Sequence, residues 1–133
     1  MTDHRSAPPK SRNSLGDISV LYVSALMRAA EAEGANSAEL ASRFQLDHQT
    51  LTSPEARISI PRFMRLGHAA ITETGNPALG LRMGALSRPV DAGIAGLAGE
   101  TASTAGAAIS TLIRYALLTS RNSRGVPMVW PEI

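Results

Sequence analysis

Four side chains in this sequence are the best suited to hold a small polar ligand: an imidazole, two guanidinium groups and a phenol, at His68, Arg82, Arg114 and Tyr115. A guanidinium group binds a carboxylate through paired hydrogen bonds, and a tyrosine can pack its ring while its hydroxyl finds a polar partner. Residue type and position therefore make these four the candidate ligand contacts. The competing interpretation is structural, because a single histidine on an amphipathic helix, or an arginine beside a tyrosine, is common without any ligand.

Catalytic chemistry is not indicated. The chain has three histidines and no cysteine, and its acidic residues are scattered without a repeated metal-ligand spacing. It contains neither a Gly-x-Ser-x-Gly nucleophile elbow nor a His-Glu-x-x-His zinc motif. Gly93, Gly96 and Gly99 recur every third residue, which fits neither a dinucleotide fingerprint nor a phosphate loop and favours close packing or an apolar wall. We therefore expect no enzyme activity, no cofactor and no metal site.

Composition predicts the fold class. Of the 133 residues, 44% are hydrophobic but only 4% are aromatic, so the core must be built mainly from Ala, Leu, Ile and Met, which favours packed helices. A chain of this length supports one domain. It has no run of 18 apolar residues and no cysteine, so we expect a protein of the cytoplasm that does not span a membrane.

Charge is distributed unevenly along the chain. Residues 1–13 carry three basic side chains and one acidic side chain, include two adjacent prolines and lack apolar periodicity, so we predict a disordered tail. Residues 14–133 carry ten basic and ten acidic side chains and are predicted to form the folded domain. Because these charges cancel, the folded domain is not expected to carry a basic surface that binds nucleic acid.

Apolar periodicity predicts three long helices. The first should begin with Asp17 as its N-cap and end at Gly34. The second should open at Ser59-Ile60-Pro61, with Pro61 at the first helical position. The last should run from about Thr104 to Leu118, and residues 121–133 that follow it resemble the start of a strand, at 126–131, with nothing left to pair with.

A sharp corner is predicted between Gly75 and Gly84. Gly75 can take the left-handed conformation that ends a helix, Asn76 can cap the next helix, and Pro77 fits the first helical position. Gly80 and Gly84 lie four residues apart, so a second helix could approach the backbone closely there.

The corner reads Gly-Asn-Pro-Ala-Leu-Gly-Leu-Arg-Met-Gly, which resembles the signature of the arabinose-binding-type N-terminal domain of AraC-type bacterial transcription regulators. In that family a glycine-bearing segment and a helix with an Arg-Tyr pair follow, as do Asp91-Ala92-Gly93-Ile94-Ala95-Gly96 and Arg114-Tyr115 here. The family usually has larger residues where this chain has Ala92 and Leu97, so a pocket there would be roomier or differently shaped.

The resemblance implies the helix-dominated N-terminal part of an α+β effector-sensing domain, with a short strand-like C-terminal end. It further implies a small-molecule effector, a possible homodimer, and contact with DNA only through a C-terminal helix-turn-helix domain that this chain lacks. We thus expect a fragment or a naturally truncated relative. The effector need not be arabinose, because an Ala/Gly-rich wall suits a modest apolar or amino-acid-like molecule equally well.

The alternative is a small DNA-binding protein that uses residues 36–52. Asn36 can cap a helix there, Ala41 would sit where two helices touch, Leu51 would anchor the second helix, and Gln49 and Thr50 would face bases. Three features weaken this interpretation: Gln45 stands where the tight turn usually has glycine, Ser53-Pro54 follows closely, and little positive charge surrounds the segment.

Overall fold

The computed structural model describes residues 15–115 and 120–122, and this part of the chain is mainly helical. The elements follow in the order β1 (Gly16–Ser19), α1 (Val20–Ala32), α2 (Ser37–Arg43), α3 (His48–Thr52), β2 (Arg57–Ser59), α4 (Ile60–Thr74), α5 (Leu79–Leu86), a 3₁₀ helix (Pro89–Ala92), α6 (Gly93–Glu100), α7 (Ala105–Arg114) and β3 (Ser120–Asn122). The predicted mainly α fold class is confirmed.

Helix α1 lies at the centre of the core. Seven of its residues are buried, and the helix contacts α2, α3, α4, α5 and the 3₁₀ helix. The fully buried leucines opposite it come from three different helices: Leu40 from α2, Leu66 from α4 and Leu79 from α5. Because burial of one such side chain stabilises a fold by about 1.5–3 kcal/mol, these contacts hold the helices around α1.

The start of α1 differs from the prediction. Asp17 is not its N-cap: it lies in β1, and its carboxylate accepts a hydrogen bond from the Arg57 guanidinium on the neighbouring strand β2. Helix α1 begins at Val20, where the Ser19 hydroxyl caps it by accepting from the Leu21 N–H at 3.2 Å. The prediction was wrong because Asp and Ser are equally good N-caps, and the strand pairing that decides between them comes from distant residues.

A small antiparallel sheet was missed by the sequence reasoning. The strands lie in the order β2-β1-β3, with Asp17 of β1 opposite Ser59 of β2 and Ile18 opposite Ser120 of β3. Each strand has only three or four residues, too few for a readable alternation of apolar and polar side chains. Strand β3 precedes the stretch at 126–131 that was predicted to resemble a strand, and no strand was predicted at residues 120–122.

The corner after α4 is partly as predicted. Ser59 caps α4, Pro61 is its second residue and not the first as predicted, and Gly75 ends it in the left-handed conformation at φ 66°. Helix α5 begins later than expected, at Leu79: Pro77 lies in the intervening turn, where the Asn76 carboxamide oxygen accepts from the Ala78 N–H at 2.9 Å. That hydrogen bond stabilises a local turn, which delays the helix by two residues.

The predicted close approach at Gly80 and Gly84 is wrong for the described residues. Both glycines are exposed, and a Cβ built on either would meet no atom within 4 Å. Close packing occurs instead at Gly96 of α6, where a Cβ would lie 1.6 Å from the Pro89 carbonyl oxygen. The glycine-rich segment was therefore correctly interpreted as one that allows close packing.

Helix α7 begins at Ala105, next to the predicted start at about Thr104, and the Thr104 hydroxyl caps it by accepting from the Ala107 N–H at 3.1 Å. It ends at Arg114, with Tyr115 as its C-cap, so it is shorter than predicted. The predicted tail at 1–13, the continuation of the last helix over 116–118 and the strand-like stretch at 126–131 lie outside the described residues. In the described ranges, no helix is long and apolar enough to cross a membrane.

Candidate functional site

A mainly apolar cleft opens between the start of α1 and the wall formed by the 3₁₀ helix and α6. Its volume is about 450 Å³, within the range of about 300–1,000 Å³ in which proteins hold small molecules. We call it the apolar cleft and define it by its nine lining residues: Ser19, Leu21, Pro54, Glu55, Arg57, Val90, Gly93, Ile94 and Leu97. Three other described clefts are more open to solvent than this one.

Two glycines shape the wall of the cleft. Gly93 takes a positive φ of 62°, and a Cβ there would lie 3.3 Å from Leu21 Cδ1 across the cleft. Gly96 is buried and lets α6 fold back tightly on the 3₁₀ helix, against the Pro89 carbonyl. The apolar side chains of Val90, Ile94 and Leu97 are consequently left partly exposed along the opening, at 45%, 77% and 48%.

The polar groups of the cleft are mostly engaged. The Ser19 hydroxyl caps α1, and the Arg57 guanidinium pairs with Asp17 and also reaches its carbonyl oxygen at 3.4 Å. Glu55 is exposed, and its described hydrogen bond is a long one from the Ser53 hydroxyl at 3.5 Å. Its carboxylate is thus the charged group of the lining that is most available to a ligand.

A buried ionic contact holds the cleft wall against α1. Asp91 in the 3₁₀ helix accepts from the Arg28 guanidinium on α1 and from the Arg88 N–H at 2.7 Å, and the Arg88 guanidinium lies 3.7 Å away. Burial raises the pKa of Asp91, but the hydrogen bonds from Arg88 and Arg28 and the charges of both guanidinium groups lower it more, so the pKa lies below its usual value. The carboxylate therefore stabilises the attachment of the 3₁₀ helix to α1.

Replacing this carboxylate should weaken the fold in a pH-dependent way. We expect Asp91→Asn to lower the free energy of unfolding at pH 7 by about 1–3 kcal/mol, since the two arginines lose a charged acceptor. Because the folded-state pKa of Asp91 is depressed, its contribution is present above its unfolded pKa of about 3.9 and is lost as the pH falls through the folded value. Urea unfolding of the wild type and of Asp91→Asn, from pH 7 down to about pH 2, measures how the difference between their free energies of unfolding changes with pH.

The matched control is Asp47→Asn. Asp47 is exposed and caps α3 by accepting from the Thr50 N–H at 2.6 Å, a bond that an asparagine oxygen can also accept. Its effect at pH 7 should be small. If the difference in free energy of unfolding between the wild type and Asp91→Asn stayed constant down to the lowest pH, the proposed contribution of the Asp91 charge would be contradicted.

A family model described as the arabinose-binding domain of AraC transcription regulators, N-terminal, matches residues 34–127, most of the chain. The chain belongs to this family. No curated protein gave a significant match. The matched range includes the lining residues from the loop before β2, from β2, from the 3₁₀ helix and from α6. The other two lining residues, Ser19 and Leu21, precede the matched range. Membership indicates a ligand-sensing regulatory region.

The four residues predicted to contact a ligand in this AraC-type domain lie in different places. His68 is exposed on α4 and lines another cleft, of about 530 Å³, between α2 and α4. The Arg82 guanidinium on α5 pairs with Glu33 at 3.2 Å. Arg114 and Tyr115 are exposed at the end of α7, and no carboxylate of the described residues pairs with Arg114. None of the four lines the apolar cleft, and their ligand contacts stay predictions.

Sequence reasoning missed most of the cleft. It predicted that the glycine repeat could form an apolar wall and that a pocket could lie at Ala92 and Leu97; of these residues Gly93 and Leu97 line the cleft. It did not identify Leu21, Glu55 or Val90, since no local signal links α1 to residues more than thirty positions away. The available clue was compositional: the apolar, glycine-rich stretch 93–99 lacks the charged residues of a solvated helix face.

The segment at 36–52 does form two helices joined by a turn. Helix α2 is capped by Asn36 and contains the buried Ala41, and Gln45 takes a positive φ of 54° in the turn where glycine is usual. Helix α3 is only five residues long and ends at Thr52, with Ser53 as its C-cap before Pro54 and with Gln49 exposed. The structural helix pair is present, and its use for DNA stays an alternative prediction.

The described residues contain no group of three or more His, Cys, Asp or Glu side chains placed to hold a metal ion. The side chains that line the apolar cleft offer a ligand apolar contact and charge.

Proposed function

We propose that this chain is the effector-sensing and dimerisation region of an AraC-family transcriptional regulator, and that it binds a small molecule in the apolar cleft. The observation that carries the proposal is the cleft itself: it holds about 450 Å³ and is mainly apolar, with few polar groups. Small-molecule sites have this character. The family match, which includes most of the lining residues, supports a sensing role over a purely structural one.

The position of the cleft suggests how binding is transmitted. One side belongs to the core elements β1, α1 and β2, and the other to the 3₁₀ helix and α6, which in turn packs on α7. A molecule that binds one arrangement of these two sides more tightly shifts the population toward that arrangement. We expect this population shift to alter dimer contacts or a DNA-binding domain. An effector changes the activity of a regulator only if it binds the two arrangements with different affinities.

The proposed role is non-catalytic and requires neither a cofactor nor a metal. Control of a promoter is a task of the bacterial cytoplasm, so we propose that compartment. Contact with DNA belongs to the DNA-binding domain of the complete regulator, and the sensing region contributes effector binding.

Filling the cleft should abolish binding. We expect n-octanol, a neutral apolar probe, to shift the amide NMR signals of residues 90–97 in the 133-residue chain. Leu97→Trp places a larger ring in the cleft and should weaken this binding by about tenfold or more, because bulk forced into an occupied space costs about 1–3 kcal/mol. The titration of each variant, followed by NMR, gives the dissociation constants.

The matched control is Ile109→Trp. Ile109 is 55% exposed on α7 and does not line the cleft, so its replacement should leave octanol binding unchanged. Octanol binding that survives Leu97→Trp, or NMR shifts that map to residues elsewhere, would refute the cleft as the effector site.

Sequence-selective binding of short DNA duplexes by the chain at raised salt would instead favour the alternative function, DNA binding through residues 36–52.

A further inference from the structure

The charge at the mouth of the apolar cleft is unbalanced. Among the described residues, three ionisable side chains lie in or beside the lining: Arg57, its partner Asp17, and Glu55. Arg57 and Asp17 neutralise each other across the sheet, and the Arg57 side chain is only 21% exposed. Glu55 has no ion-pair partner among the described residues, so one negative charge remains at the mouth.

Other polar groups nearby do not compensate this charge. Pro54 has no N–H, and the Ala56 N–H is bonded to the Ser53 carbonyl at 3.0 Å. The Ala56 carbonyl accepts from the Val20 N–H at 2.9 Å, and the Ser19 hydroxyl accepts from Leu21. The Ala56 N–H is thus used within the protein, whereas the Glu55 carboxylate, an acceptor only, is exposed and accepts only the long bond from Ser53 among the described residues.

We propose that the effector is an amphipathic cation, an apolar body that carries one ammonium group, with Glu55 as its counter-ion. The apolar body packs on Leu21, Val90 and Leu97, and the ammonium group lies at the mouth beside the Glu55 carboxylate. An effector carboxylate at this mouth would face the unpaired charge of Glu55 and would have to displace Asp17 from Arg57. This proposal rests on the proposed function, because it names the chemical class that the same cleft selects.

The test compares three probes with the same eight-carbon chain: n-octylamine, n-octanol and n-octanoate. We expect the wild-type chain to bind them in this order of decreasing affinity at pH 7, measured by isothermal titration calorimetry. Glu55→Gln keeps the shape of the side chain and removes its charge. It should weaken octylamine binding by about fivefold, the value of an exposed ion pair of about 1 kcal/mol, and leave octanol binding unchanged.

Two further variants sharpen the comparison. Glu55→Lys reverses the charge, and it should make octanoate the preferred probe over octylamine. Glu39→Gln is the matched control: Glu39 is an exposed glutamate on α2 outside the lining, and its replacement should change none of the three affinities. Glu55 is itself exposed in a turn, so its variants should fold, which far-UV circular dichroism checks.

The outcomes distinguish failure of the cation proposal from failure of the apolar cleft as the effector site. If octanol and octylamine bind equally well and Glu55→Gln has no effect, the cleft stands as the site and the cation proposal is overturned. Preferred binding of octanoate by the wild type also overturns it. If none of the three probes binds, both the cation proposal and the apolar cleft as effector site are overturned.

Discussion

Gly96→Ala is expected to destabilise the protein by about 1–3 kcal/mol, the cost of forcing extra bulk into a filled space. The Cβ of an alanine at this position would lie 1.6 Å from the Pro89 carbonyl oxygen and 3.1 Å from the Ala92 Cβ. Backbone atoms cannot move aside as a flexible side chain can, so α6 must shift away from the 3₁₀ helix. Chemical denaturation of the wild type and the variant gives the difference in the free energy of unfolding.

The same substitution should also impair the cleft. Val90 precedes Gly96 on one wall and Leu97 follows it directly, so displacement of α6 changes the spacing between their side chains. We therefore expect weaker binding of the neutral octanol probe as well as lower stability. The control is Gly80→Ala on α5, where a Cβ would meet nothing within 4 Å; alanine should there be neutral or stabilising, by up to about 1 kcal/mol.

Equal effects of Gly96→Ala and Gly80→Ala would contradict the close packing of α6 on the 3₁₀ helix. The comparison is informative because both glycines lie within helices and have ordinary helical φ values. The intrinsic helix preference for alanine thus acts equally at both positions, and the difference measures the contact.

Leu66→Ala should cause a larger loss of stability, about 2–5 kcal/mol. Leu66 is fully buried in the middle of α4, within the cluster that includes Leu40, Leu79 and the apolar residues of α1. Truncating its side chain loses the free energy gained when these carbons are buried away from water. It also leaves a cavity in the core. Thermal and urea unfolding of the variant measure the loss.

Leu81→Ala is the matched control, because Leu81 on α5 is 80% exposed. Its effect should stay within about 0.5 kcal/mol, the usual range for surface substitutions. Comparable losses for Leu66→Ala and Leu81→Ala would show that the core does not lie where α4 meets α1. Leu66 does not line the cleft, so any folded fraction of Leu66→Ala should keep its preference among the probes.

Several features of the fold were predictable because their signals are local. Ser59, Pro61 and Gly75 mark the ends of α4 through hydrogen bonds and backbone angles that involve neighbours within four residues. Asn36 and Thr104 cap α2 and α7 in the same way. The order and spacing of the corner and the glycine-bearing segment also pointed to the family that the comparison confirms.

Other features required partners that the local sequence does not reveal. Asp17 looked like a helix cap, but it pairs with Arg57, forty positions away. Asp91 was part of a recognised segment, but its role depends on Arg28, which lies 63 positions away. Both carboxylates have good local alternatives, so only the folded arrangement of strands and helices decides which partner each one binds.

By itself the sequence determined the helix-dominated class, the ends of α4, the N-cap of α2, the approximate start of α7, and the family. Composition, capping and turn chemistry act over a few residues and need no tertiary information. Only the tertiary structure decided where the cleft lies, since it brings Leu21, Glu55 and Leu97 together from three separate parts of the chain. It also decided that Glu55 pairs with no cation of the described residues there, because Arg57 pairs with Asp17 across the sheet.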